Sequence, residues 1–158
     1  MEFIIDDLTH PKVIGLLEHH IEQMIKTSPP ESRHVLDIEQ LKSPDITFWS
    51  LWKHQQELGQ QLLGCVALKR LSKEAGEIKS MKVSPDHTRQ GIGKNLLFHV
   101  IQEAQNRRFK KLFLETGSMA YFAPARKLYE TNGFTYCEPF ADYTKDDNNV
   151  FMCKDVTQ

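Results

Sequence analysis

Cysteine is scarce in this chain: Cys65, Cys137 and Cys153 are the only three among 158 residues, and they stand far apart. That count and spacing suggest neither a disulfide framework nor a zinc site, so no metal is expected. An excess of charge of one sign is missing too. The 20 Lys and Arg and 21 Asp and Glu are interspersed and leave a net charge of −1, which offers no electrostatic footprint for nucleic acid. No apolar run is long enough to cross a membrane. The start, Met1 to Asp7, is acidic with only a short apolar stretch, unlike a signal peptide. Internal repeats and low-complexity segments are absent as well. These absences predict a cytoplasmic protein that engages neither nucleic acid nor membrane. With 40% hydrophobic and 26% charged residues, the chain is suited to one globular domain spanning residues 1–158 with a real core.

Only eight glycines are present, and two of them, Gly91 and Gly93, punctuate the most informative stretch, Val83 to Leu97 (VSPDHTRQGIGKNLL). A strand is predicted over Glu77 to Val83, and Pro85 and Asp86 break it. Ile92, Leu96, Leu97, Val100, Ile101 and Ala104 then recur at helical spacing. A glycine-bearing turn from strand to helix aims unpaired backbone N–H groups and the positive end of the helix dipole at one spot, which suits a phosphate. Glycine there lets a pyrophosphate reach the amides. Two familiar phosphate loops fit poorly. A Walker-type loop requires Ser or Thr after Gly93-Lys94, where Asn95 stands, and a dinucleotide fingerprint requires glycine where Leu96 stands.

The rest of the chain supplies the frame. Phe3 to Ile5 reads as a first strand, and Asp7 or Thr9 as the cap of a helix from about Pro11 to Lys26. His19 and His20 lie within that helix without partners at metal-ligand spacing and read as packed or solvated. Thr27 to His34 is a proline-rich loop, followed by a short helix at about Ile38 to Lys42. Asp45 to Lys53 and Gln61 to Leu71 read as strands separated by a turn, with Phe48, Trp49 and Trp52 assigned to the core. Short connections make this meander antiparallel. Leu112 to Gly117 is a nearly continuous apolar strand, and strand–helix–strand spacing pairs it in parallel with the strand at Glu77. A helix at Phe122 to Phe134 stops at Asn132-Gly133. Thr135 to Cys137 and Asn149 to Lys154 close the chain, joined by a polar loop from Pro139 to Asn148. The fold class is therefore α/β, with a mixed, mostly antiparallel sheet and one parallel pair.

Val-x-Pro, a polar spacer and Arg89-Gln-Gly-Ile-Gly93 resemble the acyl-coenzyme-A loop of the GNAT superfamily of N-acetyltransferases. Ala125 to Phe134, carrying Leu128-Tyr129-Glu130 and Gly133-Phe134, is similar to that superfamily's second signature, at the right distance and in the right order. The resemblance covers essentially the whole chain. It extends to a group of small bacterial GNAT proteins through segments such as Gly76 to Met81 and Pro139 to Tyr143. It implies a sheet splayed at its parallel pair with helices on both faces, acetyl-CoA as cosubstrate, and acetyl transfer to a primary amine, for which balanced charge favours a small molecule. Direct transfer in a ternary complex is expected, and dimerisation is common in the superfamily. A non-catalytic acyl-coenzyme-A binding or sensing module is the alternative, and a nucleotide-binding protein a third reading.

The resemblance also assigns residues. An acceptor ammonium of pKa about 10 leaves only about one molecule in a thousand nucleophilic at neutral pH, so a base is needed. Glu77 stands where family members that use a glutamate base carry one, and Tyr129 where they carry the acid that protonates the thiolate. The Met81 amide would meet the oxyanion. Met81, Lys82 and Val83 would pair with the pantetheine arm as an added strand. Arg89, Gln90, Gly91, Ile92, Gly93, Lys94 and Asn95 would hold the pyrophosphate. Arg33, His34 and Tyr143 would face the acceptor. One departure stands out: Thr88 occupies a position where the family usually has Arg or Gln.

Overall fold

Helix α1, Pro11–Thr27, begins with proline in its first turn and is capped by His10, whose Nδ1 accepts from the Lys12 amide at 3.1 Å. Neither expected cap serves. The Asp7 carboxylate is taken by the Thr9 hydroxyl and amide, which folds that segment into a turn upstream of the helix. The computed structural model describes residues 1–157. Strand β1, Glu2–Ile5, precedes α1, and the short helix α2, Ile38–Leu41, follows it. Strands β2 (Ile46–Gln55), β3 (Gly59–Arg70) and β4 (Ala75–Val83) form the meander. Helix α3 (Ile92–Asn106), β5 (Lys111–Gly117), α4 (Ala123–Thr131), β6 (Thr135–Cys137) and β7 (Asn149–Asp155) complete the chain.

All seven strands join one sheet in the order β1-β2-β3-β4-β5-β7-β6. Among the described residues only β4 and β5 run parallel, with α3 as their crossover; every other pair is antiparallel. Strand alternation sends Trp49, Leu51, Val66 and Leu68 to one face, where they pack with Leu96, Leu97 and Val100 of α3 and Tyr129 of α4. Phe48, Trp52, Cys65 and Ala67 point to the other, against Val13, Leu16 and Leu17 of α1 and Leu41 of α2. Side chains of period two on the strands and 3.6 on the helices thus fill two layers, one on each side of the sheet.

Two irregularities shape the middle of the sheet. Pairing of β4 with β5 runs from Ala75↔Lys111 to Ile78↔Leu114 and then ends. Just beyond, β4 carries a bulge: the register with β3 shifts between Cys65↔Lys82 and Ala67↔Lys79, and Ser80 adopts φ 51°. Ser80 and Met81 together oppose Val66. The Ser80 carbonyl turns to accept from the Cys65 thiol at 3.3 Å. A left-handed serine is a strained conformation of order 1–3 kcal/mol, held in place by the surrounding sheet.

Candidate active site

Where β4 and β5 part, a cavity of about 390 Å³ opens through the sheet. Its walls are β4 from Glu77 to Val83, β5 from Leu114 to Thr116, and Pro124, Ala125, Leu128 and Tyr129 of the α4 region. Thr88 and Gly93 line one end; His20 and Met24 of α1, His34 to Leu36 of the following loop, and Tyr143 line the other. The two ends differ in chemistry.

The first end is an anion cradle. The earliest hydrogen bond of α3 runs from the Asn95 amide to the Gly91 carbonyl, so the amides of Ile92, Gly93 and Lys94 have no acceptor within the helix. No side chain caps them. Gly91 has φ 76° and Arg89 φ 61°, and a Cβ built on Gly91 would meet nothing within 4 Å. The turn therefore needs glycine for its backbone, and the space before the amides is open. A pyrophosphate fits this cradle through backbone N–H groups and the helix dipole. The expected side chains contribute unevenly. Arg89 and Gln90 are exposed beside the cradle, whereas the Ile92 side chain is buried in the core. The Lys94 ammonium sits over the Phe98 ring and the Asn95 amide contacts the Met1 sulfur. Thr88, the departure from the family pattern, lines the cavity.

The second end is a partly buried ionic chamber. Glu77 is 3% exposed, and its Oε2 accepts from Tyr143 Oη at 2.6 Å and Lys79 Nζ at 3.1 Å. Lys79 Nζ also donates to Tyr143 Oη at 2.9 Å. Burial, then the charge of Glu77, pushes the Tyr143 phenol far above its ordinary value. His34 packs edge-on against Tyr143, and burial followed by the Lys79 charge lowers its pKa. Of the expected acceptor residues, His34 and Tyr143 thus meet Glu77 in one place. Arg33 does not join them: its guanidinium donates to the Ser28 and Ile25 carbonyls, which ties its loop to the end of α1.

Three members of this chamber were not among the expected site residues: Lys79, Glu115 and His20. Glu115 lines the cavity and accepts from Asn149 Nδ2 at 3.1 Å. Burial raises its pKa to about 7, opposed by the Asn149 hydrogen bond and Lys79 and reinforced by Glu77 and Asp146. The same burial, followed by the Glu115 charge, pushes the Tyr129 phenol well above its ordinary value. His20 is lowered to about 4, first by burial and then by Lys82, so it is neutral near pH 7. The one sequence signal for Glu115 is a carboxylate set within an otherwise apolar strand. The thiols stand apart from this chemistry. Cys65 is fully buried and raised to about 12 by that burial, and neither Cys137 nor Cys153 lines the cavity.

Residues 13–134 match the acetyltransferase (GNAT) family. The chain is 54% identical to the uncharacterized N-acetyltransferase YsnE of Bacillus subtilis (strain 168), covering 98% of this chain and 99% of that protein. It is 46% identical to the uncharacterized N-acetyltransferase YedL of Escherichia coli (strain K12), over 93% and 89% of the two chains. A GNAT family acetyltransferase from Elizabethkingia anophelis, solved with acetyl-CoA bound, superposes with a TM-score of 0.65 over 98% of this chain and 97% of that one, at 19% identity. The family match and the two N-acetyltransferase relatives define an acetyltransferase that takes acetyl-CoA as cosubstrate. The chain belongs to the GNAT acetyltransferase family. No described helix is long and apolar enough to cross a membrane.

Proposed function

We propose that this acetyltransferase acetylates a primary amine of a small molecule by direct transfer, with the amine entering from the chamber end of the cleft. The observation that carries this reading is that Glu115 and Tyr129 line one cavity, close enough for the Glu115 charge to act on the phenol, and that burial favours the protonated form of both. A carboxyl with pKa about 7 is matched to taking a proton at neutral pH, far better than an ordinary carboxylate. A phenol held neutral is a proton donor for a departing thiolate. Glu77, the residue expected as base, already accepts from Lys79 and Tyr143. In this reading Glu115 takes the proton from the ammonium, and the Glu77–Lys79 pair fixes the local field. Acetyl-CoA supplies an activated thioester: a C–N bond forms, the C–S bond breaks, and sulfur leaves with a proton. The Met81 amide, at the bulge, is offered as the oxyanion donor, and the Met81 and Val83 amides as partners of the pantetheine arm.

Direct transfer is supported by the position of the thiols. A covalent acyl-cysteine would need a cysteine at the cavity, and Cys65 is buried in the sheet while the other two lie elsewhere. Initial rates of thiol release should give intersecting double-reciprocal lines for acetyl-CoA and amine. Parallel lines would point to an acyl-enzyme and refute direct transfer. Tyr129→Phe should lower kcat by about 100-fold or more while the melting shift with acetyl-CoA persists; unchanged turnover would remove the acid role.

A further inference from the structure

The chamber contains two ionisable groups of opposite sign that no ion pair neutralises. One is Glu115, whose carboxylate receives only the Asn149 amide. The other is Lys82, which follows the bulge on β4 and lines the same cavity. Lys79 is neutralised by Glu77, but among the described residues the Lys82 ammonium forms no ion pair. Its titratable neighbour across the cleft is His20 on α1, which is neutral near pH 7 and returns no negative charge. Apolar side chains, Met24, Val35 and Leu36, line the same cavity.

From this arrangement we infer the class of acceptor: a zwitterion, namely a free amino acid with an apolar side chain, held by its ammonium at Glu115 and by its carboxylate at Lys82. The inference rests on the acetyltransferase reading proposed above and narrows it. The last pair of β4 with β5 is Ile78↔Leu114, which sets Glu115 level with Lys79; Lys82 lies three residues further along β4, roughly 7–10 Å along the strand, a span that an amino acid and a flexible lysine stem bridge together. Lys82 itself is registered with Cys65 of β3, which leaves the pantetheine arm to the amides of its strand neighbours Met81 and Val83. The acetyl group passes from sulfur to the amino nitrogen. Of the two protons the ammonium loses, one leaves through Glu115 and one replaces the acyl group on sulfur through Tyr129. Polyamines and aminoglycosides fit poorly: among the described residues the cavity is lined by two carboxylates, of which Glu77 is already paired with Lys79, and Lys82 would repel an additional ammonium.

The test measures kcat/KM for thiol release with L-phenylalanine, L-leucine and L-methionine, their amides, phenethylamine, spermidine and kanamycin. Free amino acids should exceed the matching amides by about 10- to 100-fold, the value of one charge-assisted hydrogen bond. In Lys82→Met that preference should collapse to within about threefold; Lys82→Gln, which keeps a donor, should fall between. Amides, amines or polycations used as well as the free acids would overturn the inference, as would a preference that survives Lys82→Met. Failure to acetylate any amino acid while acetyl-CoA still raises the melting temperature would also overturn it and leave the transferase reading standing. A protein that acetyl-CoA does not stabilise would defeat both.

Discussion

Replacing Glu115 by Gln should make the protein more stable at alkaline pH while disabling it. In the folded chain burial holds this carboxyl near 7, against 4.5 for a free one. For a raised carboxyl pKa the sign is unambiguous: the protonated form is the one the fold accommodates. The stability it permits is fully present below about pH 4.5 and is lost as pH rises through about 7. The difference corresponds to about 3 kcal/mol of folding free energy above neutrality, at 1.36 kcal/mol per pKa unit. Gln keeps an oxygen for the Asn149 amide and removes the charge. In a chain of this length each kcal/mol moves the midpoint by about 2–4 °C. Glu115→Gln should therefore melt about 6–12 °C above wild type near pH 8, and the gap should close toward pH 5. Thermal melts at several pH values measure it directly, with thiol release assayed in parallel. A variant that melts below wild type near pH 8, or a gap independent of pH, would refute the buried-acid reasoning. Greater stability with full activity would instead remove Glu115 from the reaction.

Other perturbations probe the frame and the cradle. A methyl group at Gly117 would fall inside the Phe122 ring, so Gly117→Ala should cost about 3 kcal/mol in urea unfolding; a loss below about 0.5 kcal/mol would contradict the packing at the start of α4. Tyr143→Phe removes the hydroxyl shared by Glu77 and Lys79 and should cost about 1.5–3 kcal/mol, since both partners are charged and nearly buried. Gly91→Glu fills the open space before the α3 amides with a carboxylate. It should abolish the melting shift that acetyl-CoA gives the wild type, and a retained shift would place the pyrophosphate elsewhere.

What the sequence disclosed and what it hid divide along the cleft. The cradle is local: a broken strand, two glycines and an amphipathic helix stand in consecutive residues, and chain geometry alone then frees the amides of α3. The meander and the parallel pair were legible for the same reason, because connection length decides strand direction. Strand ends were less legible; β4 begins at Ala75 rather than Glu77 because Gly76 pairs with Arg70 of the neighbouring strand. The cap of α1 was misplaced because Asp7 bonds to Thr9 before it can reach the helix.

The chamber is nonlocal, and there the sequence says less. Glu77 and Lys79, two apart on one strand, must share a face, but nothing in that spacing tells whether the face is wet. It is dry because Tyr143, 64 residues beyond Lys79, closes over both. Arg33 and His34 are neighbours of similar polarity, yet backbone carbonyls at the end of α1 capture one and the aromatic ring of Tyr143 receives the other. Ser32, buried between them and the β6–β7 loop, donates to Asp146 and thereby ties together the two loops that roof the chamber. A carboxylate such as Glu115 acquires its character only from burial in the folded chain, since the same residue on an open strand would titrate as an ordinary acid. Which lysine is neutralised and which left free is therefore decided by contacts among α1, β4, β5 and two loops. That separation explains why a chain can declare its cosubstrate in fifteen consecutive letters and keep its acceptor for the folded state.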